Sequence, residues 1–145
     1  MIRSLKICLF IFIVLIQGQA FSANADSTNI RWQTYSDEAF NQAKEDHKLV
    51  LLFAKATWCP WCQQMAVSFK DQGVTLLVNA NFIPVLVDID KDEKIAKQYR
   101  ILNLPTLIIL DGNKKVLETD HGLLQPQDLA NKLKAITFKY ADAYQ

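Results

Sequence analysis

Cysteine is scarce: three residues in 145 are too few for a small scaffold stapled together by disulfides. Glycine and proline number four each, which excludes collagen-like repeats and low-complexity linkers. An excess of one charge is also missing. With 16 basic and 15 acidic side chains, nothing in the balance marks a nucleic-acid-binding surface. The runs Lys44–Lys48 and Asp88–Lys94 mix signs and read as solvated surface. The longest apolar run, Ile7 to Ile16, has ten residues. As a helix it rises about 15 Å, half of the roughly 30 Å hydrocarbon core of a bilayer. What is present is ordinary for a single globular domain, half of it apolar and able to bury a core.

The first 25 residues differ from the rest. Arg3 and Lys6 precede the apolar run, and "QGQAFSANA" follows it with small residues. That order is a secretory leader pattern. The expected cleavage signal is Ala23-Asn24-Ala25, with Gly18-Gln19-Ala20 as second choice and a retained membrane tether as the alternative. The expected organisation is therefore a leader over 1–25 and one domain over 26–145, acting in the periplasm or secreted. No cysteine stands at the small-residue junction where a lipoprotein needs one, and Cys8 falls within the leader as a small hydrophobe. Removing the leader leaves 14 basic and 15 acidic side chains and two cysteines, Cys59 and Cys62.

Along the remainder, "IRWQTY" (30–35) is a short candidate strand, and Ser36 offers an N-cap for an amphipathic helix beginning "DEAFNQ". The apolar run Leu49 to Ala54 reads as a buried central strand. Pro60 suits the first position of a helix, where its missing N–H has no partner to lose. Trp61, Met65 and Phe69 follow at four-residue spacing, with Gly73 ending or bending that helix. A short helix over "VTLLVNANF", a buried strand over 82–90 and a helical "KDEKIAKQYR" come next. "TLIIL" (106–110) and "KVLET" (115–119) form a hairpin through Asp111-Gly112. Gly122 breaks the strand and Pro126 opens a last helix whose buried side is Leu129, Leu133 and Ile136. The order β-α-β-α-β-α-β-β-α implies an α/β domain, a mixed sheet with helices on both faces. Cys59 falls just beyond the carboxyl end of a central strand, where open α/β sheets place their chemistry.

Two thiols in "TWCPWC" admit three uses: a redox pair, half of a metal site, or a staple. A staple closing so short a loop adds little, because loop-closure stabilisation grows with loop length. A zinc site from Cys59, Cys62, His47 and His121 lacks paired-ligand spacing, and haem attachment needs a histidine where Gln63 stands. No metal or cofactor is therefore expected. For a redox pair the placement is favourable. Cys59 stands at a predicted helix N-terminus, where free N–H groups and the helix dipole favour a thiolate, the nucleophile of disulfide exchange. Cys62, about one turn on, is close enough to resolve a mixed disulfide by attacking Cys59.

"TWCPWC" after an apolar strand, with "LNLPTLIIL" placing Pro105 after 42 intervening residues, resembles the thioredoxin superfamily. "HGLLQPQDL" is similar to that family's closing strand-glycine-helix junction, and the resemblance covers about residues 30–138. It implies a thioredoxin-like fold in which Cys59 and Cys62 form the redox-active disulfide. It further implies that Trp58 packs beside the pair, Pro105 is a cis-proline facing the sulfurs, and the Leu104 backbone pairs with an extended substrate chain. Pro60 and Trp61 shape the site between the cysteines.

This sequence departs from the family's reductases at Phe53, six residues before Cys59, where a buried Asp is usual. Apolar "VLV" (85–87) replaces a buried Lys, leaving Lys48 and Lys55 as basic residues to approach the site. It departs from secreted oxidases of the superfamily in having Trp61 between the cysteines rather than His, and no room for their helical insertion. The implied activity is exchange with protein disulfide or dithiol clients, as reductant or interchange protein more than net oxidase. A separate redox partner would recycle the pair, and the protein would act as a monomer, with no nucleic acid. Two alternatives stand beside it: a non-catalytic polypeptide-binding module on the same fold, and a dedicated thiol donor in cytochrome or metallocentre assembly.

Overall fold

The computed structural model describes residues 29–141. The expected leader, its cleavage signals and Cys8 lie outside the described residues. The elements, in chain order, are α1 (Asp37–Glu45), β1 (Leu49–Lys55), α2 (Pro60–Ser68), α3 (Gln72–Asn81) and β2 (Phe82–Asp88). They continue with α4 (Glu93–Gln98), β3 (Thr106–Leu110), β4 (Val116–His121) and α5 (Pro126–Lys139). The sheet runs β2-β1-β3-β4, with β1 parallel to β2, antiparallel to β3, and β3 antiparallel to β4. It is the mixed sheet expected from the sequence.

The alternation of side chains along each strand divides the core in two. Leu49, Leu51 and Phe53 of β1 join Leu107 and Ile109 of β3 on one face, beneath Met65 of α2, Val74 and Val78 of α3, and Leu129, Leu133 and Ile136 of α5. Val50, Leu52 and Ala54 join Ile83, Val85, Val87, Ile108 and Leu110 on the other, against Ala39, Phe40 and Ala43 of α1. Both faces of β1 are covered, which is why its sequence is continuously apolar rather than alternating. β4 forms the sheet's far edge with polar "VLETDH" and stays largely accessible. Next to α1, the Tyr35 and Tyr99 hydroxyls meet at 2.7 Å. Burial of Tyr99 and its hydrogen bond to Tyr35 hold that phenol protonated well above the usual tyrosine range.

Several boundaries differ from the sequence reading. The 30–35 stretch is no strand: it makes one bridge, Gln33 to Val85, with Gln33 N–H donating to Pro84 O and Leu86 N–H to Gln33 O. Trp32 turns to the aromatic rings of Phe53 and Phe69, Tyr35 packs on the opposite side of the sheet, and Ser36 already caps α1. The segment is consumed by packing before a ladder can grow. Gly73 neither ends nor bends α2. That helix stops at Phe69, and Asp71 starts a new one by accepting the Val74 N–H, so Gly73 lies inside the first turn of α3. The hairpin turn is also longer than an Asp-Gly pair. Asp111 accepts from the N–H groups of Asn113 and Lys115, and the left-handed residue is Lys114, at φ 66°. Gly112 is needed for space instead, since a Cβ there would lie 2.5 Å from Lys44 Cγ.

Leu133 sits under the sheet with 1% of its surface exposed. Leu133→Ala is expected to lower unfolding free energy by about 2–5 kcal/mol, the cost of a leucine-sized cavity. Urea denaturation should show a reduced midpoint with an unchanged slope; a change below about 1 kcal/mol would mean that α5 contributes little to the core.

Candidate functional site

β1 ends at Lys55, and the chain crosses Ala56 to Cys59 before α2 begins at Pro60. Cys59 is the N-cap of α2 in extended conformation, and its sulfur accepts the Cys62 N–H at 3.1 Å. Pro60 occupies the first helical turn, where it takes no N–H from an existing bond. The first turn of α2 contains no acidic residue, whereas α1 carries Asp37 and Glu38 there. The positive end of α2 is therefore left to sulfur. Cys59 and Cys62 are joined as a disulfide with Cα atoms 5.3 Å apart.

The pair is buried, Cys59 at 3% and Cys62 at 1% exposure, while Trp58 and Trp61 beside them in the chain are 66% and 57% exposed. Ala56, Ile89 and Leu104 pack against the two cysteines. The Leu104–Pro105 peptide is cis, and Pro105 is buried. The chain thus brings Cys59, Cys62 and Leu104 into one cluster although more than 40 residues separate Cys62 from Leu104 in sequence. Trp61 does not share the buried face of Met65 and Phe69: in the first turn of α2 it is Cys62 that faces inward, while Trp61 is exposed.

Of the two lysines considered, Lys48 is at the opposite end of β1, donating to Asn79 O at 3.0 Å. Lys55 lies level with Asp88 and lines a cavity of about 310 Å³ with Trp32, Phe53 and Phe69. Phe53 itself is buried, its ring 5.8 Å from Trp32 and 5.2 Å from Phe69. Three aromatic rings fill the region in which a carboxylate would have to be desolvated. His47 is in the turn after α1, and His121 bonds to Thr106 at the end of β4.

Two features escaped sequence reasoning. Asp90, in the β2–α4 connection, accepts a 2.9 Å hydrogen bond from the Trp58 indole N–H and so fixes an otherwise exposed ring. Ile89 both packs on the cysteines and lines an open groove of about 510 Å³ with Ala96, Arg100, Ile101 and Leu102. Both belong to "DID", read as a solvated run; only the aspartate's contact with a residue 32 positions away distinguishes it.

Residues 16–107, more than half of the chain, match the family described as "Thioredox_DsbH: Protein of unknown function, DUF255". Thioredoxin H4 of Arabidopsis thaliana is 30% identical over 100 residues, 69% of this chain and 76% of that protein. Disulfide bond reductase DsbH of Chlamydia pneumoniae is 28% identical, over 63% of this chain; the chain spans only 62% of that relative. Among solved structures, a thioredoxin from Thermus thermophilus superposes with a TM-score of 0.70 at 25% identity, covering 81% of this chain and 94% of that one.

Ala56, Ile89 and Leu104 pack on the cysteines, and two protons should accompany two electrons while both thiols stay protonated. The midpoint potential should then fall by about 59 mV per pH unit between pH 5 and 7, since each tenfold change in equilibrium is about 30 mV. Equilibration with glutathione buffers checks this. Curvature within that window would mean that the Cys59 thiol or a group coupled to it ionises there.

Proposed function

The chain belongs to the thioredoxin-like DsbH family and is a thiol:disulfide oxidoreductase; within that class we propose that it is exported and exchanges protein disulfides through Cys59 and Cys62. The reading rests above all on Cys59 being the N-cap of α2, with its sulfur already accepting a backbone N–H. The Cys59 thiolate attacks one sulfur of a client disulfide. A Cys59–client bond forms, the client bond breaks, and the departing thiolate takes a proton. Cys62 then attacks the Cys59 sulfur, forming the Cys59–Cys62 disulfide and releasing the second client thiol. The client gains two electrons and two protons, and a dithiol reductant must return the pair to its reduced state.

Trp58, Trp61 and the cis Leu104–Pro105 segment form the client-facing surface in this scheme, with the Leu104 backbone lying along an extended client segment. A net reductant or interchange role fits the absence of a His between the cysteines and the short path from Cys62 to Pro105. The midpoint potential is expected nearer to about −270 mV than to the roughly −120 mV of strong oxidants. Supporting export is the basic, apolar and small-residue order of the first 25 residues.

In an insulin-reduction assay with dithiol recycling, Cys59→Ser should abolish turnover. Cys62→Ser should accumulate mixed disulfides visible on non-reducing gels. Alkylation of reduced Cys59 should reach half its maximal rate below pH 8.5, the free-thiol value. Full activity of Cys59→Ser would overturn the assignment, and a double Cys→Ser variant that still complements in cells would favour the polypeptide-binding alternative.

Export has its own test. Protein recovered from the periplasm of a Gram-negative host should begin at Asp26. Retention in the cytoplasm with Met1 intact would remove the exported reading while leaving the exchange chemistry standing.

A further inference from the structure

We propose that His121 is a positioning residue for this exchange reaction, holding the segment that faces the disulfide through the hydroxyl of Thr106. Thr106 is 1% exposed, and its Oγ1 donates to Asn103 O at 2.7 Å. The same oxygen lies 2.9 Å from His121 Nδ1. A hydroxyl has one proton, and a carbonyl only accepts. That proton is therefore committed to Asn103, and His121 is the donor, through Nδ1–H. The ring tautomer is set by this chain of two bonds.

The bond joins the first residue of β3 to the last residue of β4, which are register partners. One step further, the Gly122 N–H donates to Pro105 O at 2.8 Å. Gly122 has φ 91°, a left-handed conformation that lets the chain leave the sheet directly after making this contact. Asn103, Pro105 and Thr106 are thus each tied, and Leu104, between them, rests on Cys59 and Cys62. The His121 backbone has its own brace: its main-chain N–H donates to the Asp120 carboxylate, which is ion-paired with Lys132 of α5. The arrangement fixes one wall of the disulfide from outside it, by a side chain that touches neither sulfur cluster nor client.

A residue with this role controls how a polypeptide lies against the Leu104 wall. A small disulfide, which has no extended chain to lie along that wall, depends on its alignment far less. The inference rests on the oxidoreductase reading above, and two substrates separate them. With insulin, Thr106→Val and His121→Leu should each lower kcat/KM about five- to tenfold, the scale of one lost hydrogen bond, with the change carried by KM. With glutathione disulfide, both variants should stay within about twofold of wild type. Thr106→Ser and His121→Asn retain the hydroxyl and the donor and should restore insulin turnover. The double variant Thr106→Val/His121→Leu should be no worse than Thr106→Val alone, since both remove one latch.

Equal loss with both substrates would mean that the pair only stabilises the β3–β4 edge, and overturns the proposal. So would insulin kinetics unchanged in both single variants while the wild type is active. A wild type inert toward insulin and glutathione disulfide alike removes the oxidoreductase reading, and the latch with it.

Discussion

The site depends on one sulfur being held where a buried strand gives way to the start of a helix. β1 is covered on both faces and paired along both edges, so its end is among the least movable points of the domain. Four residues later Cys59 caps α2. Pro60 pre-sets the helical turn, and the Cys62 N–H is turned toward sulfur. With no acidic residue in the first turn of α2, no carboxylate competes for the same N–H groups. The packing of the strand supplies position and the helix end supplies electrostatics; neither alone would distinguish Cys59 from any buried thiol.

The surroundings of the pair divide its two sulfurs. Cys59 is at the helix end, whereas Cys62 lies one turn in, with Ala56, Ile89 and Leu104 as the residues packed on the cluster. An apolar neighbourhood favours the neutral thiol, and helix N–H groups favour the thiolate. Phe53 strengthens this division. Its tilted ring contacts with Trp32 and Phe69 contribute on the order of 0.5–1.5 kcal/mol per ring pair beyond area burial, where a carboxylate would have cost desolvation. The structure gains a firm floor under α2 at that position.

Much of this was legible from local chemistry. The 106–110 strand, the start of α2 at Pro60, the start of α5 at Pro126 and the break at Gly122 all follow from residues whose backbone preferences act alone. What was not legible depended on partners distant in sequence. The 30–35 segment has the composition of a strand, but Trp32 and Tyr35 are drawn to opposite faces of the sheet. Gly73 has the look of a helix breaker, yet Asp71 restarts the helix before it. Asp90 and His121 carry no pattern at all; their significance exists only once Trp58 and Thr106 stand beside them.

The same contrast separates chemistry from selectivity. Both sulfurs are nearly inaccessible, while Trp58, Trp61 and Leu102 expose 66%, 57% and 88% of their surfaces. A client disulfide must therefore be brought to the sulfurs by contacts made outside them. In the proposed scheme those contacts come from groups held from elsewhere in the chain: Trp58 by Asp90, and Leu104 by the bonds to Asn103, Pro105 and Thr106 on either side of it. Reactivity set at the helix end and alignment set in this braced rim meet only at Leu104 and Ile89, which pack on the pair. In that scheme, change at Trp58 or Asp90, outside the cluster packed on the sulfurs, would alter client choice more than sulfur reactivity.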